Sequence, residues 1–120
     1  MELPVAEFKI CAAVLEDDVH VVSVAGELDL HTAGELSAEL DGALARGPKR
    51  IVVDLGGVTF LDSTALGALV TAAKHARAAG TPTLVVTDDP HTLKIFRITG
   101  LDAVLGLRRT LSEAVAEAAA

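Results

Sequence analysis

A chain of 120 residues fits one domain around one core, and a composition of 51 % apolar and 22 % charged residues excludes a disordered polar chain. A net charge of −7, with three Phe and no Trp or Tyr, argues against a nucleic-acid partner, because phosphates are repelled and bases find almost nothing to stack on. The lone cysteine, Cys11, has no partner for a disulfide or a zinc site, and the start Met1-Glu2-Leu3-Pro4 has no basic segment followed by an apolar run; with the weakly polar stretch 64–73 too short for a bilayer, the expectation is a cytoplasmic protein that engages no membrane.

The stretches Phe8–Leu15 and Val19–Leu28 are rich in Val, Ile and Ala and flank Glu16-Asp17-Asp18, the pattern of a β-hairpin. Cys11 falls on the first of these strands and reads as a small buried apolar residue. After Asp29 the period changes: Leu36, Leu40, Ala43 and Leu44 recur at helical spacing, and Thr32 with Glu35 has the form of a capping box, so a helix is predicted over 32–46, ended by Gly47-Pro48. Arg50–Leu55 is a continuous apolar run closed by Gly56-Gly57, as in a central strand. A second helix is predicted over 63–79, with Leu66, Leu69, Val70 and Ala73 inward and Gly80 as the stop.

Thr83–Thr87 reads as another buried strand. Asp89-Pro90 places a capping carboxylate before a proline at the first helical position, and the third helix is expected to end near Thr99-Gly100. A short strand near 105–107 follows, and Thr110 with Glu113 opens a last helix carrying Leu111, Ala114 and Val115. Strands alternating with helices after an antiparallel start imply an α/β fold with a mixed sheet, and no linker or repeat divides the chain.

Among residues that can carry chemistry, Phe60-Leu61-Asp62-Ser63-Thr64-Ala65-Leu66-Gly67 comes first, because it joins a strand to a helix and sets two hydroxyls and a carboxylate at that helix's N-terminus. Free backbone N–H groups and the positive end of the dipole accommodate an anion there. The plainer reading is that Asp62 or Ser63 is only a cap, worth about 1 kcal/mol. The four histidines, His20, His31, His75 and His91, lie on different elements without ligand spacing, so no metal is expected; Gly56-Gly57 lacks a phosphate-loop lysine, and Ser63 stands in no G-x-S-x-G elbow.

Asp62-Ser63-Thr64-Ala65-Leu66-Gly67 resembles the D-S-[ST]-G-L-G motif of anti-anti-sigma factors. Gly26-Glu27-Leu28-Asp29 with Thr32-Ala33 resembles their G-E-[LI]-D-x-x-T-A motif, and Leu93–Leu101 their third-helix region. The resemblance implies a single STAS domain over residues 1–120, with a mixed sheet of four to five strands, antiparallel then parallel, and about four helices. It implies a regulator rather than an enzyme, without cofactor, whose partners are an anti-sigma factor serine kinase and a serine phosphatase. Ser63 carries over as the phosphoacceptor, with Thr64 the second candidate. Glu27, Asp29, Thr32, Asp62, Leu66 and Gly67 complete the implied partner-binding set, although Glu27 reads equally as a solvated carboxylate and Asp29 as the cap of the following turn.

Ala65 stands where the family usually has Gly, and its methyl is expected to lie in the path of a closely approaching kinase. That departure keeps a second reading, a STAS scaffold or regulatory subunit never phosphorylated. A phosphorelay receiver using Asp54 and a hydrolase using Ser63 fit the element order less well.

Overall fold

The computed structural model describes residues 7–119, so the Met1–Pro4 segment lies outside the described residues. Strands β1 (Lys9–Leu15) and β2 (Val19–Leu28) form the hairpin, joined by a 3-10 turn at Glu16–Asp18. Asp17 and Asp18 both take positive φ there, a conformation that short polar side chains tolerate better than most. Helix α1 (Ala33–Ala45), strand β3 (Arg50–Leu61), helix α2 (Ser63–Ala78), strand β4 (Thr83–Val86), helix α3 (Pro90–Ile98), strand β5 (Gly106–Arg108) and helix α4 (Leu111–Ala119) follow. The sheet has the order β1-β2-β3-β4-β5; β1 and β2 are antiparallel and every later pair is parallel.

Each face of the sheet is apolar because β2, β3 and β4 are covered on both sides, which is why their sequences read as continuous hydrophobic runs. On one face Val22, Val24, Val53 and Val85 meet Leu36 and Leu40 of α1, Leu69 of α2, Phe96 of α3 and Leu105. On the other, Val19, Val21, Val52, Leu84 and Val86 pack with Ala114 of α4. The inward stripe of α2 is Ala65, Leu69, Ala73 and Ala76, while the expected Leu66 and Val70 are only half-buried. Alanines at that spacing let α2 settle closely on the sheet and on α1.

Two expectations need correction. Gly56-Gly57 does not close the central strand, since β3 runs through it to Leu61. Two extra residues are accommodated in β3 as bulges: Ser23 and Ala25 pair with Asp54 and Gly57, then Gly26 and Glu27 with Val58 and Phe60. Gly57 is required inside the strand because a Cβ there would sit 2.8 Å from the Ala25 Cβ. Cys11 is exposed rather than buried, because β1 is an edge strand whose residues, apart from the half-buried Ile10, stand open to solvent.

Candidate functional site

The site grows from one carboxylate at the junction of β3 and α2. Asp62 is extended (φ −101°, ψ 177°) and caps α2, its Oδ1 accepting the Ala65 N–H at 2.9 Å. Its Oδ2 accepts the Leu30 N–H at 2.9 Å, and its own N–H donates to the Leu28 carbonyl at 3.2 Å. The cap reading and the site reading therefore coincide: one side chain starts α2 and ties it to the loop between β2 and α1. Loss of an N-cap oxygen costs about 1–2 kcal/mol. Asp62→Ala is thus expected to lower stability by about that amount in chemical denaturation, with an unchanged m-value, and Asp62→Asn, which keeps an acceptor, by less.

The loop it holds is built on Asp29 and Thr32. Asp29 Oδ1 accepts the His31 N–H at 2.8 Å and the Thr32 N–H at 3.2 Å, the turn-capping alternative anticipated for this residue. The capping box expected of Thr32 and Glu35 is not made. Thr32 is helical in φ and ψ and caps nothing ahead of it; its hydroxyl instead accepts the Asp29 N–H at 2.8 Å and donates to the Glu27 carbonyl at 3.0 Å. The hydroxyl is spent backward, on the strand end, because Asp29 already satisfies the turn's donors. Glu27 pairs with Phe60 across the strands and is exposed.

Ser63 and Thr64 are the first two residues of α2 and both are exposed. Their backbone N–H groups have no intrahelical acceptor, so the positive end of a 16-residue helix faces any anion placed on the Ser63 hydroxyl. Gly67, one turn on, is also exposed with open space beside it, and Leu66 is half-buried. Ala65 is 0 % exposed and belongs to the core, so its methyl does not stand at the surface beside Ser63 and Thr64, where it was expected.

Two apolar residues escaped the sequence reading. Leu30 is 66 % exposed on the loop clamped by Asp62, and Phe60 is 52 % exposed two residues before it. Phe60 also lines a groove of about 270 Å³ between the end of β3 and the start of α3, together with Asp89 and His91. There the Thr92 backbone N–H, and then its hydroxyl, hold the Asp89 carboxyl below its usual range, so α3 begins with a fixed negative charge. The only sequence signal for Leu30 was an apolar residue between Asp29 and His31. A larger cavity of about 530 Å³, lined by Arg50, Arg77 and Thr83, lies where β3 and β4 begin, remote from Ser63.

Among the described residues, no group of three or more His, Cys, Asp or Glu is placed to hold a metal, and no helix is long and apolar enough to cross a membrane. The arrangement sets two exposed hydroxyl residues, Ser63 and Thr64, near acidic and apolar side chains.

The model of the STAS domain family matches residues 12–117. An anti-sigma-B factor antagonist of Staphylococcus aureus (strain NCTC 8325 / PS 47) is 33 % identical over 86 residues, covering 72 % of this chain and 80 % of the relative. An anti-sigma F factor antagonist of Lysinibacillus sphaericus is 27 % identical over 82 residues, covering 68 % and 70 %. The crystal structure of an anti-sigma factor antagonist from Mycobacterium paratuberculosis superposes with a TM-score of 0.80 at 30 % identity, over 93 % of this chain and 94 % of that one. The family match, these identities and these coverages agree: the chain belongs to the STAS domain family, in its group of anti-sigma factor antagonists.

Proposed function

We propose that this protein is a partner-switching regulator: unphosphorylated, it docks on an anti-sigma factor that is also a serine kinase, which releases the sigma factor, and phosphorylation of Ser63 ends the docking. The observation that supports this most is the exposed Ser63 hydroxyl at the head of α2, fastened through Asp62 to the loop carrying Leu30 and next to Glu27 and Asp29. Leu30 and Phe60 supply exposed apolar area for the contact and Glu27 a charge at its rim. The partner brings ATP and the catalytic groups. The γ-phosphoryl group passes to the Ser63 oxygen as the hydroxyl proton leaves, and ADP departs. This chain supplies only the acceptor, so it acts as a binding protein rather than an enzyme, and a serine phosphatase restores it.

The added phosphate brings about −1.5 to −2 charge. The head of α2 accommodates that charge in the free domain, whereas an interface fitted to a neutral hydroxyl, beside Asp62 and Asp29, meets repulsion and a desolvation cost. Ala65, the departure behind the alternative reading of a scaffold never phosphorylated, is a core residue whose methyl does not stand at the surface beside Ser63. Incubation with the cognate kinase and ATP, followed by peptide mass mapping, is expected to place one phosphate on Ser63, with none on Ser63→Ala. Phosphate on Thr64 alone would reassign the acceptor.

A further inference from the structure

Strand β1 forms one edge of the sheet, and it lacks the features that keep edges apart. It is seven residues long, Lys-Ile-Cys-Ala-Ala-Val-Leu, regular in register with β2, without proline or bulge, and Lys9 at its start is its one charge. Val14 is 57 % exposed. We infer that this edge is an interface with a second copy of the chain, in which two β1 strands pair antiparallel about a two-fold axis beside Ala12 and the two α1 helices pack across that axis.

The register follows from symmetry. With Ala12 opposite its own counterpart, Ile10 faces Val14 of the second copy and Val14 faces its Ile10. These positions lie on the face of the sheet beneath α1, where Ile10 already touches the core. Residues directly opposite on an antiparallel pair share a face, so both aliphatic pairs form together.

The helices fit the same axis. Because α1 lies across β1 and β2 alike, its axis stands about one strand spacing, ~4.8 Å, from the two-fold. Two copies therefore bring their α1 axes to roughly 10 Å, the separation at which helices pack. At about 3.6 residues per turn, the flank of α1 turned toward β1 carries Glu35, Glu39, Gly42 and Arg46. Gly42 leaves open space on that flank, with no atom within 4 Å of a Cβ placed there.

The axial level also agrees. A small groove joins Ala12, Ala13 and Val14 of β1 to Gly42, Ala43 and Arg46, so the helix near Gly42–Ala43 lies level with Ala13. Both elements run antiparallel to β2, and two helical residues advance about as far as one strand residue. The point on α1 between Leu40 and Asp41 therefore lies level with Ala12. Antiparallel packing about that point sets Glu35 against Arg46 of the second copy on both sides and Glu39 against its Gly42. Glu35 and Arg46 are exposed, and neither makes a salt bridge within its own chain among the described residues. Exposed pairs of this kind fix register more than they add affinity. Ser63, at the far end of β3 and two strands from this edge, is left outside the interface.

Sedimentation equilibrium over a concentration series tests the interface, with a mass approaching twice the 12.3 kDa of one chain expected at the upper end. Gly42→Gln fills space that is open in the monomer, so it folds, and it is expected to weaken dimerisation at least about tenfold. Glu35→Arg and Arg46→Glu are each expected to do the same, and the double reversal to return the constant to within about threefold of the original. In a Cys11→Ala background, Ala12→Cys is expected to oxidise to a cross-linked dimer, since opposed Cα atoms lie about 4.5–5.5 Å apart. A monomer at every concentration would overturn the inference, as would a dimer whose constant neither Gly42→Gln nor the charge reversals move.

Discussion

Ser63→Asp is expected to bind the anti-sigma kinase about a hundredfold more weakly than the wild-type chain, a loss of ~2.8 kcal/mol, while melting within a few degrees of it. The two readouts separate because the hydroxyl is exposed and makes no core contact, whereas Asp62 beside it keeps its bonds to Ala65 and Leu30. Negative charge at the head of α2 is favourable for the isolated helix and unfavourable only in a contact that buries it. Ser63→Ala keeps the neutral surface and is expected to bind within about threefold of wild type while resisting modification. Titration calorimetry and thermal melts on the same three proteins check both parts, and equal affinities for the two variants would oppose a mechanism based on charge.

Gly26→Ala is expected to cost about 3 kcal/mol, the largest stability loss among single substitutions near the site. Gly26 has φ +88°, and a Cβ there would lie 2.8 Å from the Glu7 carbonyl oxygen and 2.9 Å from the Phe8 Cα. These are backbone atoms, which cannot turn aside as a side chain could. The residue lies between the two bulges at which β2 and β3 fall out of step, just before Glu27, so the strain is delivered to the strand end that leads into the loop carrying Leu30. Chemical denaturation of Gly26→Ala beside Gly47→Ala separates the causes. Gly47 also has positive φ, +68°, but has nothing within 4 Å of the added Cβ, so its variant reports the conformational cost alone. A loss at Gly26 no greater than that at Gly47 would mean that β1 and its approach yield easily.

Much of the architecture was written locally. Asp89 before Pro90 marked the start of α3, and its carboxylate accepts the Thr92 N–H as that pattern requires. Thr110 likewise accepts the Glu113 N–H at 3.1 Å ahead of α4. The head of α2, with Ser63 exposed on it, was legible because a strand, an aspartate and a helix start follow one another within a few residues. What could not be read locally depends on neighbours distant in sequence. Gly56-Gly57 looked like a stop because a lone strand cannot show that Ala25 lies against residue 57. Thr32 looked like a cap because the Glu27 carbonyl that takes its hydroxyl is brought close only by the turn. The methyl of Ala65 could be placed only once the phase of α2 against the sheet was known. Phe60 is an aromatic residue in an apolar strand, a pattern that suggests burial, yet it is exposed on the part of β3 that runs on past Asp54, where the pairing with β4 ends.

Quantitative binding of the anti-sigma kinase to the wild-type chain, first unmodified and then fully phosphorylated on Ser63, tests the switch most directly. The account predicts an affinity at least about a hundredfold lower for the phosphorylated form, restored by phosphatase, with the far-ultraviolet circular dichroism of the two forms superimposable. Equal affinity of the two forms, or a phosphorylated form that loses its secondary structure, would contradict it.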